Sequence, residues 1–338
     1  MAEETISVIS VTQAAKEIGT GGNNPTQSVN VCGADLGSVF DWNGRTYIAF
    51  GDTFGCPLSA TPPALRQNTL AFTTDNVLDD GITFDGWITD GSGNAKQLFA
   101  AAAGAISAIS THGLSIGSIG YLFYMQVTEH LGGGRWNCNL ASVAKSTDGG
   151  QNWTKLSNLV WDEGNFNQVA IYKQGGFVYF FGIPCGRLGS VKLMRVLEAS
   201  IEDKEEYEYL IDTDDGGVWE KDAEVLAVTV VDGPAGELSV AWNDFLGRYI
   251  MLYLTSNTNT TWIAMRVSQN LWGPWSGPIF VVGANDFPCL YAPFTKDSYV
   301  AEGGKIAYFR MSRFCPGFDP YSTYWMKMEL EKESAPGC

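Results

Sequence analysis

The chain has two histidines, His112 and His130, and 21 lysines and arginines against 37 acidic residues. So few imidazoles exclude a histidine-built zinc centre. The formal net charge of −16 repels phosphate backbones and anionic lipid, so nucleic acid and membrane surfaces are excluded as partners. An uncharged polymer is compatible with such a surface. No apolar run is long enough to cross a bilayer. The opening MAEETISVIS has neither the basic nor the apolar region of a signal peptide, and a leader already removed is compatible with it. The seven cysteines form no CxxC, and their odd number leaves at least one thiol outside any pairing within the chain. Their pairing is open. Helical periodicity is nearly absent, and only residues 12–18 and 200–209 read as short helices.

What the sequence does have is 39 glycines and many aromatics (11 Trp, 14 Tyr, 18 Phe), a profile of short strands and tight turns. The clearest turn is Asn43-Gly44, a two-residue hairpin signal flanked by SVFDW and RTYIAF. Asp35 lies as many residues before Asn43 as Asp52 lies after Gly44. In an unbroken hairpin the two would be cross-strand partners with Cβ atoms about 4.5–5.5 Å apart. Like charges so placed weaken a sheet, whereas a retaining glycosidase needs two carboxyl groups about 5–5.5 Å apart. A β-bulge that shifts the register would make both aspartates ordinary turn formers.

The hairpin pattern recurs. Residues 38–52 lead to 68–75, 112–127 to 139–150, 168–183 to 190–196, 237–254 to 261–268, and 304–312 to 322–330. Five successive sheets of three or four antiparallel strands predict an all-β, five-bladed β-propeller that takes up residues 1–338 as a single domain. Within the N-terminal segment 1–30, a strand over residues 6–11 could join the last blade and close the ring. Residues 146–153, STDGGQNW, fit the Asp-box S-x-D-x-G-x-x-W, an outer-turn motif that supports the propeller and assigns no chemistry to Asp148. SQNLWGPW at 268–275 is a degenerate copy. The acidic run 212–217 lacks the downstream glutamate of a calcium loop and reads as a solvated turn.

Propellers bind ligands at one mouth of the central channel. Positions in register with Asp35 in the other units are His112, Gln168, Glu237 and Tyr291, and Glu237 could tune the aspartate pair or act as an acid. Asn68, Arg187 and Tyr291 could hydrogen-bond sugar hydroxyls, and Trp136 or Trp161 could stack on sugar rings or serve the core. No metal and no cofactor are called for.

GADLGSVFDWNGRTYIAFGDTF, GELSVAWND, LWGPWSGP and the tail MSRF…YSTYWMKMEL together resemble the endo-D-arabinanase family of glycoside hydrolases, first catalogued as a domain of unknown function. The resemblance runs from about residue 33 to 330. It implies endo-cleavage of α-D-arabinofuranosyl linkages in mycobacterial arabinogalactan and lipoarabinomannan, with Asp35 and Asp52 as the essential pair. Double displacement is the expected reaction, and Asp35 is read as the nucleophile. The same resemblance suggests a secreted, extracellular monomer acting on neutral arabinan. L-arabinan or another furanoside remains an alternative substrate, and a non-catalytic carbohydrate-binding propeller remains an alternative class. Sialidase activity is disfavoured, since no Arg-Ile-Pro motif or arginine triad is present.

Overall fold

The computed structural model describes residues 4–59, 64–257, 260–315, 317 and 320–333; Cys338 lies outside them. Asn43 and Gly44 both take positive φ, 49° and 76°, as the two-residue turn requires, and Gly33–Trp42 pairs with Arg45–Phe54 around them. Four more sheets follow along the chain, and the five make the expected five-bladed propeller. The innermost strands are Gly33–Trp42, Ser107–Ile116, Gln168–Gln174, Leu238–Asn243 and Leu290–Phe294, each touching the next around the ring.

Burial follows from that geometry. Both faces of every blade are covered by neighbours, so the sheets are apolar on both sides and the core divides into five clusters, one at each blade interface. Between blades 1 and 2, Phe40 stacks on Trp42 and on Tyr47, and Trp153 meets Trp42 edge-on with centroids 6.1 Å apart. Trp153 ends the 146–153 turn. There the Ser146 hydroxyl donates to Asp148, Asp148 accepts from the Asn152 N–H, and the indole donates to the Gly150 carbonyl. The degenerate copy is built alike, with the Trp275 indole donating to the Leu271 carbonyl.

The ring closes as the sequence suggests, with a longer strand. Thr5–Lys16 pairs antiparallel with Tyr321–Glu333, so the two chain ends share blade 5. Residues 12–16 therefore belong to that strand, and no helix forms there: pairing with the blade edge outweighs the weak helical pattern of TQAAKEI. Residues 200–209 likewise hold single 3-10 turns, at Glu198–Ser200 and Lys204–Glu206, and the strand Glu208–Asp212 begins within them. The acidic run 212–217 is an exposed turn. Among the described residues no helix is long and apolar enough to cross a membrane.

Where the closing strand ends, Glu17 and Arg310 form a fully buried ion pair, with Nε–Oε2 at 2.5 Å and Nη2–Oε1 at 2.8 Å. Arg310 Nη1 also donates to the Gly37 carbonyl at 3.0 Å, so one guanidinium ties the closing segment, blade 5 and blade 1 together. Gly37 must be glycine: its φ is +83°, and a Cβ there would lie 2.5 Å from Arg310 Cδ.

Candidate active site at the channel mouth

The bulge at Gly37 sets up the aspartates. Pairing is regular from Trp42↔Arg45 to Ser38↔Ala49, slips at Leu36↔Phe50, and is restored at Ala34↔Thr53. The first irregularity adds Gly37 to the inner strand. The second sets Gly51 and Asp52 against the single residue Asp35. Two opposite bulges therefore cancel, and Asp35 faces the Gly51-Asp52 segment although the two aspartates are not a direct pair. Gly51 makes room for the carboxyl, since a Cβ there would lie 2.6 Å from Asp35 Oδ1.

Asp35 Oδ2 accepts a hydrogen bond from the Tyr291 hydroxyl at 2.8 Å, and Tyr321 also bonds this side chain. Oδ1 is buried without a partner. Burial first, then the Asp52 charge, pushes the Asp35 carboxyl up to about 7, against the two tyrosine hydrogen bonds. Asp52 is raised by burial to about 6, opposed by a hydrogen bond from Ser107 Oγ at 3.3 Å and by the charge of His130. Two carboxyl groups that ionise reluctantly, side by side at a channel mouth, form an acid–base pair poised near neutrality.

Around them the structure gathers residues from the four other blades. Glu237 is buried and held by Arg187, with Nη2–Oε1 at 2.6 Å and Nε–Oε1 at 2.9 Å. The Arg187 guanidinium lies between two rings, 4.9 Å from the Trp136 centroid and 4.8 Å from that of Tyr291. Tyr291 thus links the Glu237–Arg187 pair to Asp35. Gln168 and Glu237 line a cavity of about 10 Å³ with Leu36, Thr111 and Phe294, room for about one water.

His112 lies deeper in the channel, 6.4 Å from the Phe294 ring, and burial pushes it down to about 4, so it is neutral. Asn68 belongs elsewhere. Its side chain is fully buried, accepts from the N–H groups of Leu98 and Phe99, and donates to the carbonyls of Phe99 and Ala108. All four hydrogen-bonding positions of its amide are used by backbone, and none is left for a sugar. Trp161 is also a core residue, buried at the interface of blades 2 and 3 with its indole on Tyr209. Trp136 is half-buried, its ring against the Arg187 guanidinium and its indole N–H donating to the Met125 sulfur. Among the described residues no cluster of three or more His, Cys, Asp or Glu side chains could hold a metal ion.

Strain and covalent bracing concentrate at this end. Leu36, Arg187, Cys289 and Ala292 all have φ between 53° and 65°, the left-handed region that costs a side-chain-bearing residue about 1–3 kcal/mol. Disulfides Cys32–Cys56, Cys138–Cys185 and Cys289–Cys315 flank the same strand ends. Sequence spacing carried no sign of which cysteines pair.

No curated protein matches the sequence. Residues 20–327 match the family described as a domain of unknown function, DUF4185. The chain belongs to this family. Solved structures of similar shape include a Bacteroides ovatus protein that carries a provisional hydrolase label, with a TM-score of 0.64 and 12% identity over 90% of this chain and 87% of that one. A GH62 α-L-arabinofuranosidase from Coprinopsis cinerea aligns with a TM-score of 0.51 and 10% identity over 94% and 98% of the two chains. An exo-β-1,3-galactanase from Phanerochaete chrysosporium aligns with a TM-score of 0.55 and 12% identity, and the 95% of this DUF4185 chain that is covered spans only 64% of the galactanase. At these identities the likeness establishes the fold.

Proposed function

We propose that this DUF4185 protein is a glycoside hydrolase that cuts internal α-D-arabinofuranosyl linkages of arabinan, with Asp35 and Asp52 as its catalytic pair. The observation that carries the reading is the double bulge, which sets two carboxyl groups of raised pKa together at the mouth of the channel. The fold shared with an arabinofuranosidase and a galactanase supports a carbohydrate substrate, and Asp35 and Asp52 both lie in GADLGSVFDWNGRTYIAFGDTF, one of the segments that resemble endo-D-arabinanases. Three disulfides fit a secreted, extracellular protein. A monomer acting on a neutral polysaccharide fits the acidic surface.

We assign the two roles from the burial of each carboxyl group. Asp35, the more deeply buried of the two and with an oxygen that has no partner, is taken as the acid and Asp52 as the nucleophile, an assignment opposite to the expectation from sequence. Asp52 attacks the anomeric carbon while the glycosidic C–O bond breaks and the Asp35 proton passes to the leaving oxygen. Asp35, now ionised, takes a proton from water, whose oxygen attacks the same carbon and expels Asp52 as a carboxylate. Gln168, Arg187, Glu237, Tyr291 and Trp136 form the wall on which the sugar rests.

Three tests follow from these roles. Turnover needs Asp52 ionised and Asp35 protonated, so kcat/KM on arabinan should rise as pH climbs through about 6 and fall as it passes about 7, a narrow bell. A flat profile between pH 5 and 9 would remove the pair. In the same assay, NMR of the first product should show retained anomeric configuration. Gly51→Ala should fold, because its only severe contacts are with Asp35 and Leu36 side chains, yet should lower kcat by about 100-fold as the methyl group displaces the acid. Wild-type kcat in that variant would show that the Asp35 position is not critical.

A further inference from the structure

Blade 5 grips the start of blade 1 at a single register position. Tyr291, on the inner strand Leu290–Phe294, pairs with Ser312 on the neighbouring strand, so the two side chains share a face. The Ser312 hydroxyl accepts from the Leu36 N–H at 2.8 Å, and the Tyr291 hydroxyl donates to Asp35 Oδ2, also at 2.8 Å. One rung of blade 5 therefore holds both the backbone and the acid side chain of the Asp35-Leu36 step. Tyr291 and Ser312 are buried, so water does not compete for either bond. The Tyr291 ring is fixed in turn. The Arg187 guanidinium lies 4.8 Å from its centroid, and Glu237 holds that guanidinium at 2.6 Å and 2.9 Å. A cation over the ring draws electron density from the phenol and makes its hydroxyl a better donor.

A tyrosine hydroxyl has one proton to give. Tyr291 gives it to Oδ2, so a protonated Asp35 carries its own proton on Oδ1, the oxygen over Gly51 that has no partner. When that proton leaves, the Tyr291 hydrogen bond gains a charged acceptor and becomes about twice as strong. We propose that Tyr291 is the positioning residue of the acid: its hydroxyl fixes the Oδ2 edge of Asp35, leaves the transferable proton to Oδ1, and stabilises the carboxylate that forms as the proton departs. Tyr291 thus belongs to the cleft wall by its ring and to Asp35 by its hydroxyl, whereas the sequence suggested a hydroxyl free for sugar. The catalytic part of the proposal rests on the hydrolase reading above; the hold on Asp35 does not. The other groups around Asp35 are Asp52 across the hairpin, Tyr321 from blade 5, and Glu237 with Arg187 from blades 4 and 3. Arg310 is bound to Glu17 and the Gly37 carbonyl, Arg313 donates to the Pro288 carbonyl, and His112 is neutral on the Val39 carbonyl.

The experiment compares wild type with Tyr291→Phe, which keeps the ring under Arg187 and removes only the hydroxyl. The Asp35 carboxyl is followed by carbon NMR in protein labelled at aspartate side-chain carboxyls, with Asp35→Asn to assign the signal, and kcat and KM on arabinan are measured across the same pH range. In Tyr291→Phe the Asp35 midpoint should lie about 1 pH higher, and the falling limb of kcat/KM should move with it. At the same time kcat should drop by about 10- to 100-fold with KM little changed, the mark of an interaction that strengthens in the transition state. An Asp35 midpoint that stays in place overturns the proposal, and a raised KM beside it would make Tyr291 a sugar contact. A midpoint that moves with kcat at the wild-type value also overturns it. A midpoint that moves in a protein whose wild type cleaves no arabinan upholds the hold on Asp35 and instead removes the hydrolase reading.

Discussion

Asp52→Asn is expected to abolish hydrolysis, by about 10⁴-fold or more in kcat, while it makes the fold more stable at neutral pH. The loss follows from removal of the nucleophile. The gain follows from the direction of the shifts. Asp35 and Asp52 both hold protons more tightly folded than unfolded, so their protonation favours the fold below about 4, and that contribution is lost as pH rises through about 6 and about 7. At pH 7.5 the wild type therefore carries two reluctantly ionised carboxylates. The neutral amide relieves the penalty, with a ceiling of about 4 kcal/mol for the larger of the two shifts. Thermal melts of wild type, Asp35→Asn and Asp52→Asn at pH 7.5 and pH 4.5 should show both variants melting higher at 7.5, with the gap closing at 4.5. Variants that melt below wild type at pH 7.5 would mean that the carboxylates are stabilised by their surroundings, contrary to the account of this site.

The second large effect lies at the ring closure. Glu17→Gln leaves Arg310 charged and fully buried without a counter-ion, and loss of one partner from such a pair costs about 3–5 kcal/mol. The cost should not stay local. Arg310 also holds the Gly37 carbonyl, and Gly37 is the bulge that presents Asp35, so turnover should fall along with stability. The double variant Glu17→Gln, Arg310→Met removes the stranded charge and should recover much of the stability without the catalytic geometry. Urea unfolding gives the first quantity and kcat the second. A single variant that loses less than about 1 kcal/mol would show that water reaches the pair.

The five-blade plan was legible because each hairpin carries its own local code. Asn43-Gly44 fixes one turn, apolar alternation marks the strands, and the 146–153 motif fixes an outer corner. The inner strand of blade 5, Leu290–Phe294, was only glimpsed through Tyr291, since it is short, bulged and preceded by Cys289 with positive φ. Counting outward from the turn brought Asp35 and Asp52 together for a reason it did not contain: two bulges of opposite sense cancel, and neither leaves a mark beyond the glycines that permit them. Asn68 shows the limit of residue-type arguments. An amide beside a strand start looks like a ligand contact until tertiary structure shows its four bonds already made to backbone. Trp161 and Trp136 look alike in sequence, yet one is buried between blades 2 and 3 and the other is half-buried at a hairpin end against Arg187.

The measurement that bears most directly on the central claim is product analysis of mycobacterial-type arabinogalactan incubated with wild type and Asp52→Asn side by side. A ladder of short arabino-oligosaccharides from wild type and none from the variant is the expected chromatogram. Equal ladders from both would take Asp52 out of the chemistry, and the absence of oligosaccharides from either would contradict arabinan hydrolysis by this propeller.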